Sequence, residues 1–159
     1  MELGETLEHP TEARPWKGSI PVWHRYTAGI AGERFLRALK EQGKIMGARC
    51  EPCGVTYVPP RMYCERCLRP LPDASWRPVG PRGELVSFSR VYLDLEGNRL
   101  ETLRWVGLVR LEGASGVLLH DLRVPEGVQP RSGMPVEAVL KPVRDRQGSI
   151  TDILHWKLL

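Results

Sequence analysis

The stretch CEPCGVTYVPPRMYCERC, residues 50–67, contains all four cysteines of the chain. They form two C-x2-C pairs separated by ten residues: the first knuckle (Cys50 and Cys53) and the second knuckle (Cys64 and Cys67). Two such pairs are typical of a tetrahedral metal site in which each pair supplies two thiolate ligands. The sequence therefore predicts that Cys50, Cys53, Cys64 and Cys67 bind one metal ion.

The ligand set favours zinc but leaves two alternatives open. Rubredoxin-like iron uses the same four thiolates, and disulfide pairing is the other use of four cysteines. Disulfides are disfavoured in a cytoplasmic protein because cytosolic thiols are kept reduced. Four thiolates also fill the tetrahedral shell, whereas a catalytic zinc keeps one position open. We therefore expect one structural Zn²⁺ that folds a segment too short to bury a stable core of its own.

The stretch TYVPPRMY, residues 56–63, lies between the knuckles and can be interpreted in two ways. Pro59 and Pro60 stiffen the loop, so Tyr57 and Arg61 are held at fixed positions relative to the metal. Tyr57 and Arg61 either form a recognition surface, or Tyr57 and Tyr63 pack the ribbon against its neighbour. The sequence favours packing and leaves both interpretations open.

The composition is that of a globular protein with a mildly basic surface. Of 159 residues, 42% are apolar and 26% are charged, and the formal net charge is +4. Such a surface either attracts polyanions, such as nucleic acid or cofactor phosphates, or is simply solvated. No apolar run is long enough to cross a membrane, and the N-terminal stretch lacks the apolar core of a secretory signal. We therefore expect a cytoplasmic protein.

The N-terminal part of the sequence predicts an arm followed by a helix. Residues 1–28 carry three prolines among large aromatic side chains, which precludes a continuous helix. This arm is expected to lie extended against its own domain or against a partner. The stretch AGERFLRALKEQGK, residues 31–44, predicts an amphipathic helix that ends at Gly43.

After a proline-rich connector, the apolar pattern changes to a period of two, with turn signals between the segments. The predicted strands cover residues 84–93, 102–112, 116–123, 135–143 and 149–157. Gly107, among bulky residues of the second strand, predicts a bend or a close approach of the backbone. Five short strands without intervening helices predict a small barrel, for which the OB-fold is the five-stranded candidate.

These observations predict a mainly β chain in three parts. An N-terminal helical segment precedes a zinc ribbon, and the ribbon precedes a five-stranded OB-fold barrel. The expected boundaries are 1–43 for the arm and helix, 44–78 for the ribbon and 79–159 for the barrel.

The sequence offers no convincing catalytic set. Ser87, Ser89, His120 and Asp121 make a Ser/His/Asp arrangement formally possible. The nucleophile elbow G-x-S-x-G is absent, however, and strand alternation directs the adjacent His120 and Asp121 to opposite faces. Neither a G-x-G-x-x-G loop nor a P-loop occurs. We therefore predict that the chain is not itself an enzyme.

Four stretches follow one another along the chain: ERFLRALKEQGKIMGARCEPCGVTYVPPRMYCERC, GPRGELVSFSRV, VGLVRLEGASGVLLHDL and SGMPVEAVLKPV. Together they cover most of residues 33–143. Their order resembles one protein family, the zinc-ribbon/OB-fold proteins catalogued as domain of unknown function 35 and associated with acyl-CoA metabolism. One departure is Leu68, because a glycine often follows the second knuckle in this family.

The resemblance implies a rubredoxin-like zinc ribbon, an OB-fold barrel and an accessory role in lipid metabolism. Members of the family associate with thiolase-like enzymes, or with hydratase- and aldolase-type partners acting on acyl-CoA, and they can bridge subunits and help to hold the CoA moiety. The chain is then expected to be a non-catalytic partner that stabilises a thiolase-like enzyme, with CoA or acyl-CoA as a candidate ligand. Arginine and lysine side chains are the expected contacts for CoA phosphates. The candidates for ligand or partner binding are Lys44, Arg49, Tyr57, Arg61 and Arg66.

Two other functions stay open as alternatives. An OB-fold barrel can bind single-stranded nucleic acid through stacked aromatics in a basic groove. Aromatic residues make up only 7% of the chain, which weakens this alternative. A steeply salt-dependent shift on adding an oligonucleotide would support it. The other alternative is electron transfer by iron in the four-thiolate site, which visible absorption of the oxidised protein would reveal.

Overall fold

The computed structural model describes residues 18, 23, 26–94 and 96–159. The arm expected over residues 1–28 therefore lies almost wholly outside the described residues. The described part is mainly β: one α-helix is followed by a three-stranded sheet and a closed five-stranded barrel. Among these residues, no helix combines the length and the apolar character that a membrane crossing requires.

The helix α1, Gly29–Gln42, matches the periodic segment in the sequence. Phe35 and Leu39 are buried, because their spacing places both on one helix face. The helix ends at Gly43, whose φ of 64° is left-handed and whose N–H bonds to the carbonyl oxygens of Ala38 and Leu39. Glycine adopts this conformation without a steric cost. The predicted helix end at Gly43 is therefore confirmed.

The cysteine region contains a three-stranded antiparallel sheet, which we call the ribbon sheet. Its strands are β1 Ile45–Cys50, β2 Val55–Tyr57 and β3 Trp76–Val79, and β1 lies in the middle. Ala48 of β1 pairs with Tyr57 on one side and Trp76 on the other. A small residue in the central strand thus stands between two aromatic residues of its neighbours.

The remaining strands form a closed barrel. They are β4 Arg82–Leu93, β5 Arg99–Leu111, β6 Leu118–Arg123, β7 Pro135–Leu140 and β8 Ile153–Leu158. The order around the barrel is β4-β5-β6-β8-β7, with β8 parallel to β6 and antiparallel to β7. The five-stranded barrel predicted from the alternating pattern is confirmed.

The last two strands are shorter than the sequence pattern predicts. β7 ends at Leu140, not at residue 143, and Pro142 beyond it has no N–H to give to a strand ladder. β8 begins at Ile153 and not at residue 149, because a 3-10 turn, Ile150–Asp152, precedes it. The bounds of β4, β5 and β6 differ from the predicted ones by at most three residues.

Asp152 organises the loop that shortens these strands. Its carboxylate accepts hydrogen bonds from the N–H groups of Gln147, Gly148 and Ser149 at 2.9, 2.8 and 3.3 Å. The side chain is fully buried. Burial alone would raise the pKa of Asp152, but these donors and the Lys141 ammonium outweigh it and hold that pKa below its usual range. The loop is thus built around a buried carboxylate rather than around continued strand pairing.

One hydrophobic core joins the helix, one end of the ribbon sheet and the barrel. Its buried members are Phe35, Leu39, Ile45, Val58, Val79, Leu85, Val109, Leu111, Leu122, Val136, Ile153 and Trp156. Gly107 lies inside this core, where a Cβ would stand 2.8 Å from Leu85 Cδ1. The other atoms nearest to this position also belong to a side chain, that of Leu122. Gly107 therefore makes room for core side chains, and the predicted close approach of a backbone is wrong.

A second, smaller core belongs to the cysteine region alone. Its buried members are Ala48, Cys50, Val55, Tyr57, Cys64 and Leu71. We call it the ribbon core. Because two of its six residues are cysteines, packing and sulfur chemistry are combined in one cluster.

The loop between β5 and β6 is bonded to the outer edge of β2. The Ser115 N–H donates to the Thr56 carbonyl oxygen at 2.9 Å, and the Thr56 N–H donates to Ser115 Oγ at 3.0 Å. Thr56 is buried, so both of its outward backbone groups need partners. Ser115 supplies both and ties the barrel to the ribbon sheet.

Candidate metal centre

The first knuckle is the turn between β1 and β2. β1 ends at Cys50, and the Gly54 N–H donates to the Glu51 carbonyl oxygen at 3.3 Å. Gly54 has a φ of 66°, a left-handed conformation that glycine adopts freely. The tight turn therefore keeps Cys50 and Cys53 at the same end of the ribbon sheet.

The second knuckle lies in a ten-residue hairpin, Met62–Leu71, which we call the knuckle hairpin. The Leu71 N–H donates to the Met62 carbonyl oxygen at 2.7 Å and closes it. Inside it, the Cys64 N–H donates to the Arg69 carbonyl oxygen and the Leu68 N–H donates to the Cys64 carbonyl oxygen, each at 2.9 Å. These bonds hold the chain around Cys64 and Cys67 in one shape.

The two knuckles bring the four cysteines together, as the spacing predicts. All four Sγ atoms lie within 4.8 Å of one another, and the Sγ atoms of Cys50 and Cys67 are 3.6 Å apart. A tetrahedral site with Zn–S bonds of about 2.3 Å requires sulfurs about 3.8 Å apart. The cysteines are free thiols, not disulfides. They are therefore positioned to bind a metal, and four thiolates are a donor set that structural zinc sites use.

The thiols of the centre differ in acidity because their surroundings differ. The Tyr57 hydroxyl lies 3.2 Å from Cys64 Sγ, and this hydrogen bond lowers the pKa of Cys64 to about 6. Hydrogen bonding to Cys67, together with burial, raises the pKa of Cys53 to about 12. Burial raises the pKa of Cys50. Since a metal binds thiolates, ion binding must displace protons and is favoured as the pH rises.

Tyr57 belongs to a small cluster that packs against Cys64. Its ring is 6% exposed, and its hydroxyl oxygen accepts a hydrogen bond from the Glu65 N–H at 3.3 Å. The Arg61 guanidinium lies 5.1 Å from the ring centroid and forms an ion pair with the Glu65 carboxylate. The sequence interpretation missed Glu65, although its place four residues after Arg61 is a spacing at which ion pairs form on a helical turn.

The other candidate residues do not converge on one place. Lys44 directly precedes β1 and Arg49 lies near the far end of that strand, about 17 Å away at ~3.3 Å per residue. Lys44 lines a largely apolar cleft of about 340 Å³ between the ribbon sheet and the barrel. Arg49 forms an ion pair with Glu51 at 3.0 Å, and Arg66 is exposed. The role of Lys44, Arg49, Tyr57, Arg61 and Arg66 in ligand or partner binding stays a prediction.

The residues considered as a catalytic set are kept apart in the barrel wall. Ser89 and Asp121 are both in register with Val106, whereas His120 is in register with Gly107. His120 therefore faces the opposite side of the wall from Ser89 and Asp121. The Asp121 carboxylate accepts a hydrogen bond from Arg104 at 2.7 Å, and His120 Nδ1 accepts one from the Asp121 backbone N–H at 2.8 Å. The Asp121 carboxylate thus pairs with an arginine, not with His120.

Family models match both parts of this architecture. The ChsH2 rubredoxin-like zinc ribbon domain matches residues 37–72, and the ChsH2 C-terminal OB-fold domain matches residues 76–141. A DUF35 domain-containing scaffold protein of Methanocaldococcus jannaschii is 27% identical over 114 residues, which are 70% of this chain and 78% of the relative. The two family models follow one another along the chain in the order in which the structure places the ribbon sheet and the barrel.

Solved structures share this arrangement. A DUF35 family protein of unknown function from Sulfolobus solfataricus superposes with a TM-score of 0.60 at 26% identity, over 82% of this chain and 84% of that chain. A chain of the Ltp2-ChsH2(DUF35) aldolase has a TM-score of 0.55 at 20% identity, over 77% of this chain and 92% of that chain, a likeness of fold alone. Over residues 37–72 and 76–141, the chain belongs to the DUF35 family of zinc-ribbon/OB-fold proteins.

Proposed function

We propose that the chain is a non-catalytic accessory subunit that partners and stabilises a thiolase-like enzyme, or a related enzyme acting on acyl-CoA. The observation that carries this proposal is the closed geometry of the cysteine cluster, in which all four Sγ atoms lie within 4.8 Å of one another. A metal with four thiolate ligands has no position for water or substrate. The centre is thus suited to holding the ribbon in shape, and the ribbon to presenting a surface.

The names of similar proteins support an accessory role. The Methanocaldococcus jannaschii relative is described as a scaffold protein. The second solved structure is described as an aldolase that contains a DUF35 chain together with Ltp2. We propose that this chain has a comparable place beside an enzyme in the cytoplasm. We keep the division into 1–43, 44–78 and 79–159 as part of the same proposal.

The proposed cofactor is one structural Zn²⁺ held by Cys50, Cys53, Cys64 and Cys67. Bound there, the ion supplies no chemistry on a substrate but cross-links the two knuckles, which are ten residues apart in the sequence. The apparent free energy of zinc binding in small fingers is about 10–16 kcal/mol, enough to order a segment with a small core. The ribbon core, with six buried residues, is such a segment.

Of the five candidates, Lys44 is the best placed for the phosphates of CoA. Arg49 and Arg61 already form ion pairs with Glu51 and Glu65. Lys44, in contrast, lines the apolar cleft between the ribbon sheet and the barrel, which suits an extended ligand with an anionic end. Direct CoA binding is tested by titrating the zinc-loaded chain with CoA itself. We expect Lys44→Ala to weaken that binding, while Lys157→Ala on the barrel leaves it unchanged.

The partner is tested by affinity capture. The zinc-loaded chain is immobilised, incubated with native cell extract and washed, and the retained proteins are identified by mass spectrometry. We expect an acyl-CoA enzyme to co-purify and to lose activity or stability when prepared without this chain. An acyl-CoA enzyme that is fully active and equally stable without the chain would refute the proposal.

A further inference from the structure

Leu68, which directly follows the turn of the knuckle hairpin, combines two unfavourable properties. Its φ is 58°, and it is the one non-glycine residue with a positive φ among the described residues. A left-handed conformation brings a Cβ too close to the neighbouring carbonyl oxygen, so glycine is the usual residue at such a place. Leu68 is also 77% exposed, and burial therefore does not compensate for the strain. Folding of the chain alone gives no reason for a leucine there.

Two more large apolar side chains of the same hairpin are exposed. Tyr63 is 62% exposed and Met62 is 37% exposed. Tyr63 is held by a bridge to Pro70, and its neighbour Cys64 belongs to the cysteine cluster. The hairpin thus presents Met62, Tyr63 and Leu68 on a backbone that is already fixed. A fixed backbone loses little conformational entropy when a partner binds.

Basic side chains lie next to these apolar ones. Arg66 and Arg69 are exposed, and neither forms an ion pair with any other described residue. Arg61 is neutralised by Glu65. The hairpin therefore exposes three large apolar side chains and, beside them in the sequence, two arginines without an ion-pair partner among the described residues. An apolar centre with a charged rim is the usual anatomy of a protein–protein interface.

We infer that the knuckle hairpin, Met62–Leu71, is the surface by which this chain docks on its partner enzyme, and that the partner presents an apolar patch with acidic side chains around it. The inference rests on the proposed function for the class of the partner. Leu68 is the central contact, because local strain persists where a function uses it. A metal ion bound by the four cysteines would support docking by holding the knuckle hairpin in one shape.

The test is a substitution that is expected to weaken binding to the partner without lowering the stability of the protein. Leu68→Gly removes the apolar side chain and relieves the left-handed strain. We expect the melting temperature of the zinc-loaded protein to be unchanged or raised by about 2–4 °C. We expect affinity for the co-purified partner, measured by surface plasmon resonance, to fall at least about tenfold, as it does when a central interface residue is truncated.

Matched variants separate this surface from general apolar adhesion. Leu68→Met keeps an apolar side chain and is expected to retain binding. Val143→Asn removes an exposed apolar side chain from a barrel turn, where Val143 is 67% exposed, and is expected to leave binding unchanged. Arg66→Glu and Arg69→Glu are expected to weaken binding and to reduce its dependence on salt, because each reverses a rim charge.

Each outcome decides one of the two proposals. An acyl-CoA enzyme that binds Leu68→Gly as tightly as the wild type overturns the docking surface and leaves the proposed function standing. Binding that depends on Leu68 but involves another class of protein supports the surface and overturns the proposed function. A melting temperature lowered by Leu68→Gly shows that Leu68 serves the fold and overturns the inference. Failure of the wild-type chain to retain any protein overturns both.

Discussion

The ribbon core and the barrel core differ in what their residues contribute. In the ribbon core, two of six buried residues are cysteines of the metal centre. The buried members of the larger core, which fills the barrel, include no cysteine, and Trp156, Leu85 and Val109 among them are fully buried. We therefore expect burial of apolar surface to sustain the barrel and metal coordination to sustain the ribbon. The difference predicts that one chain holds two folding units with separate sources of stability, joined where Ile45 and Val79 of the ribbon sheet pack into the larger core.

Cys53→Ser is expected to have the largest effect of the proposed substitutions, and to destabilise the ribbon without unfolding the barrel. Removal of one thiolate sacrifices much of a metal-binding free energy that is about 10–16 kcal/mol in small zinc fingers. We expect lost metal stoichiometry by elemental analysis and lost hydrogen-exchange protection in β2 and the knuckle hairpin. The barrel strands should keep their protection.

Wild-type protein stripped by a chelator is the control for Cys53→Ser, since it should show the same exchange pattern without a substitution. Two results would contradict the separation of the two units. One is retained metal stoichiometry in the variant, and the other is a loss of hydrogen-exchange protection in the barrel strand β8 as large as the loss in β2.

Trp156→Ala tests the barrel side. Trp156 is fully buried, and truncation of a buried tryptophan costs about 3–5 kcal/mol because a cavity remains. We expect that loss in urea unfolding of the barrel, with metal content unchanged. Trp23→Ala is the matched control, because Trp23 is 98% exposed and such surface changes usually stay within about 0.5 kcal/mol. A variant that loses its metal together with its barrel would show that the units do not separate.

Asp152→Asn tests the buried carboxylate of the barrel, which is expected to make the stability of the wild type depend on pH. The pKa of Asp152 is lower in the folded chain than in the unfolded chain, despite burial, because backbone N–H groups stabilise its carboxylate. Its contribution to stability is therefore fully present above the unfolded-state pKa near ~3.9 and is lost as the pH falls through the folded-state pKa. We expect the substitution to cost about 1–3 kcal/mol at pH 7.

The expected signature is that Asp152→Asn loses less stability than the wild type when urea unfolding is repeated below pH ~4. Asp145→Asn is the control, since Asp145 is exposed and only loosely paired with Arg144 at 3.7 Å. Parallel curves of unfolding free energy against pH for the wild type and Asp152→Asn would exclude the Asp152 carboxylate as the source of the pH dependence.

Tyr57→Phe is the mildest change and concerns the ribbon again. It removes the hydroxyl 3.2 Å from Cys64 Sγ and leaves the ring in the core. Substitution of groups that bond to metal ligands typically costs about 10–100-fold in metal affinity. We expect an effect near the lower limit, read as faster zinc transfer to a coloured chelator. Tyr63→Phe, at an exposed tyrosine, is the control, and equal rates for the two variants would remove Tyr57 from the metal centre.

The sequence predicts those features of the fold that follow from local rules. The spacing of Cys50, Cys53, Cys64 and Cys67 predicts the cluster, because each pair needs only one tight turn. Alternation predicts five barrel strands, and Gly43 predicts the end of the helix, because both depend on residues close in the chain. These are also the features that the structure confirms.

Features that are masked by the alternating pattern, or that depend on distant contacts, are not accessible in this way. Ser149 and Asp152 have the spacing of a capping box, but Ile150 and Ile153 hide it inside an apolar pattern that reads as a strand. The bond between Tyr57 and Cys64 depends on how the proline loop returns towards the metal centre. The common core of α1, the ribbon sheet and the barrel depends on the packing of all three. Sequence periodicity contains no information on such assembly.

The bonds between Ser115 and Thr56 have a consequence for how other chains can approach. A sheet with a free edge can be extended by a foreign strand, either productively or by aggregation. In the ribbon sheet, one edge strand is β2, whose outward groups at Thr56 are taken by Ser115. The other is β3, which is four residues long and contains Pro78. Strand addition is thus disfavoured at both edges, and a molecule that recognises this region must do so through side chains.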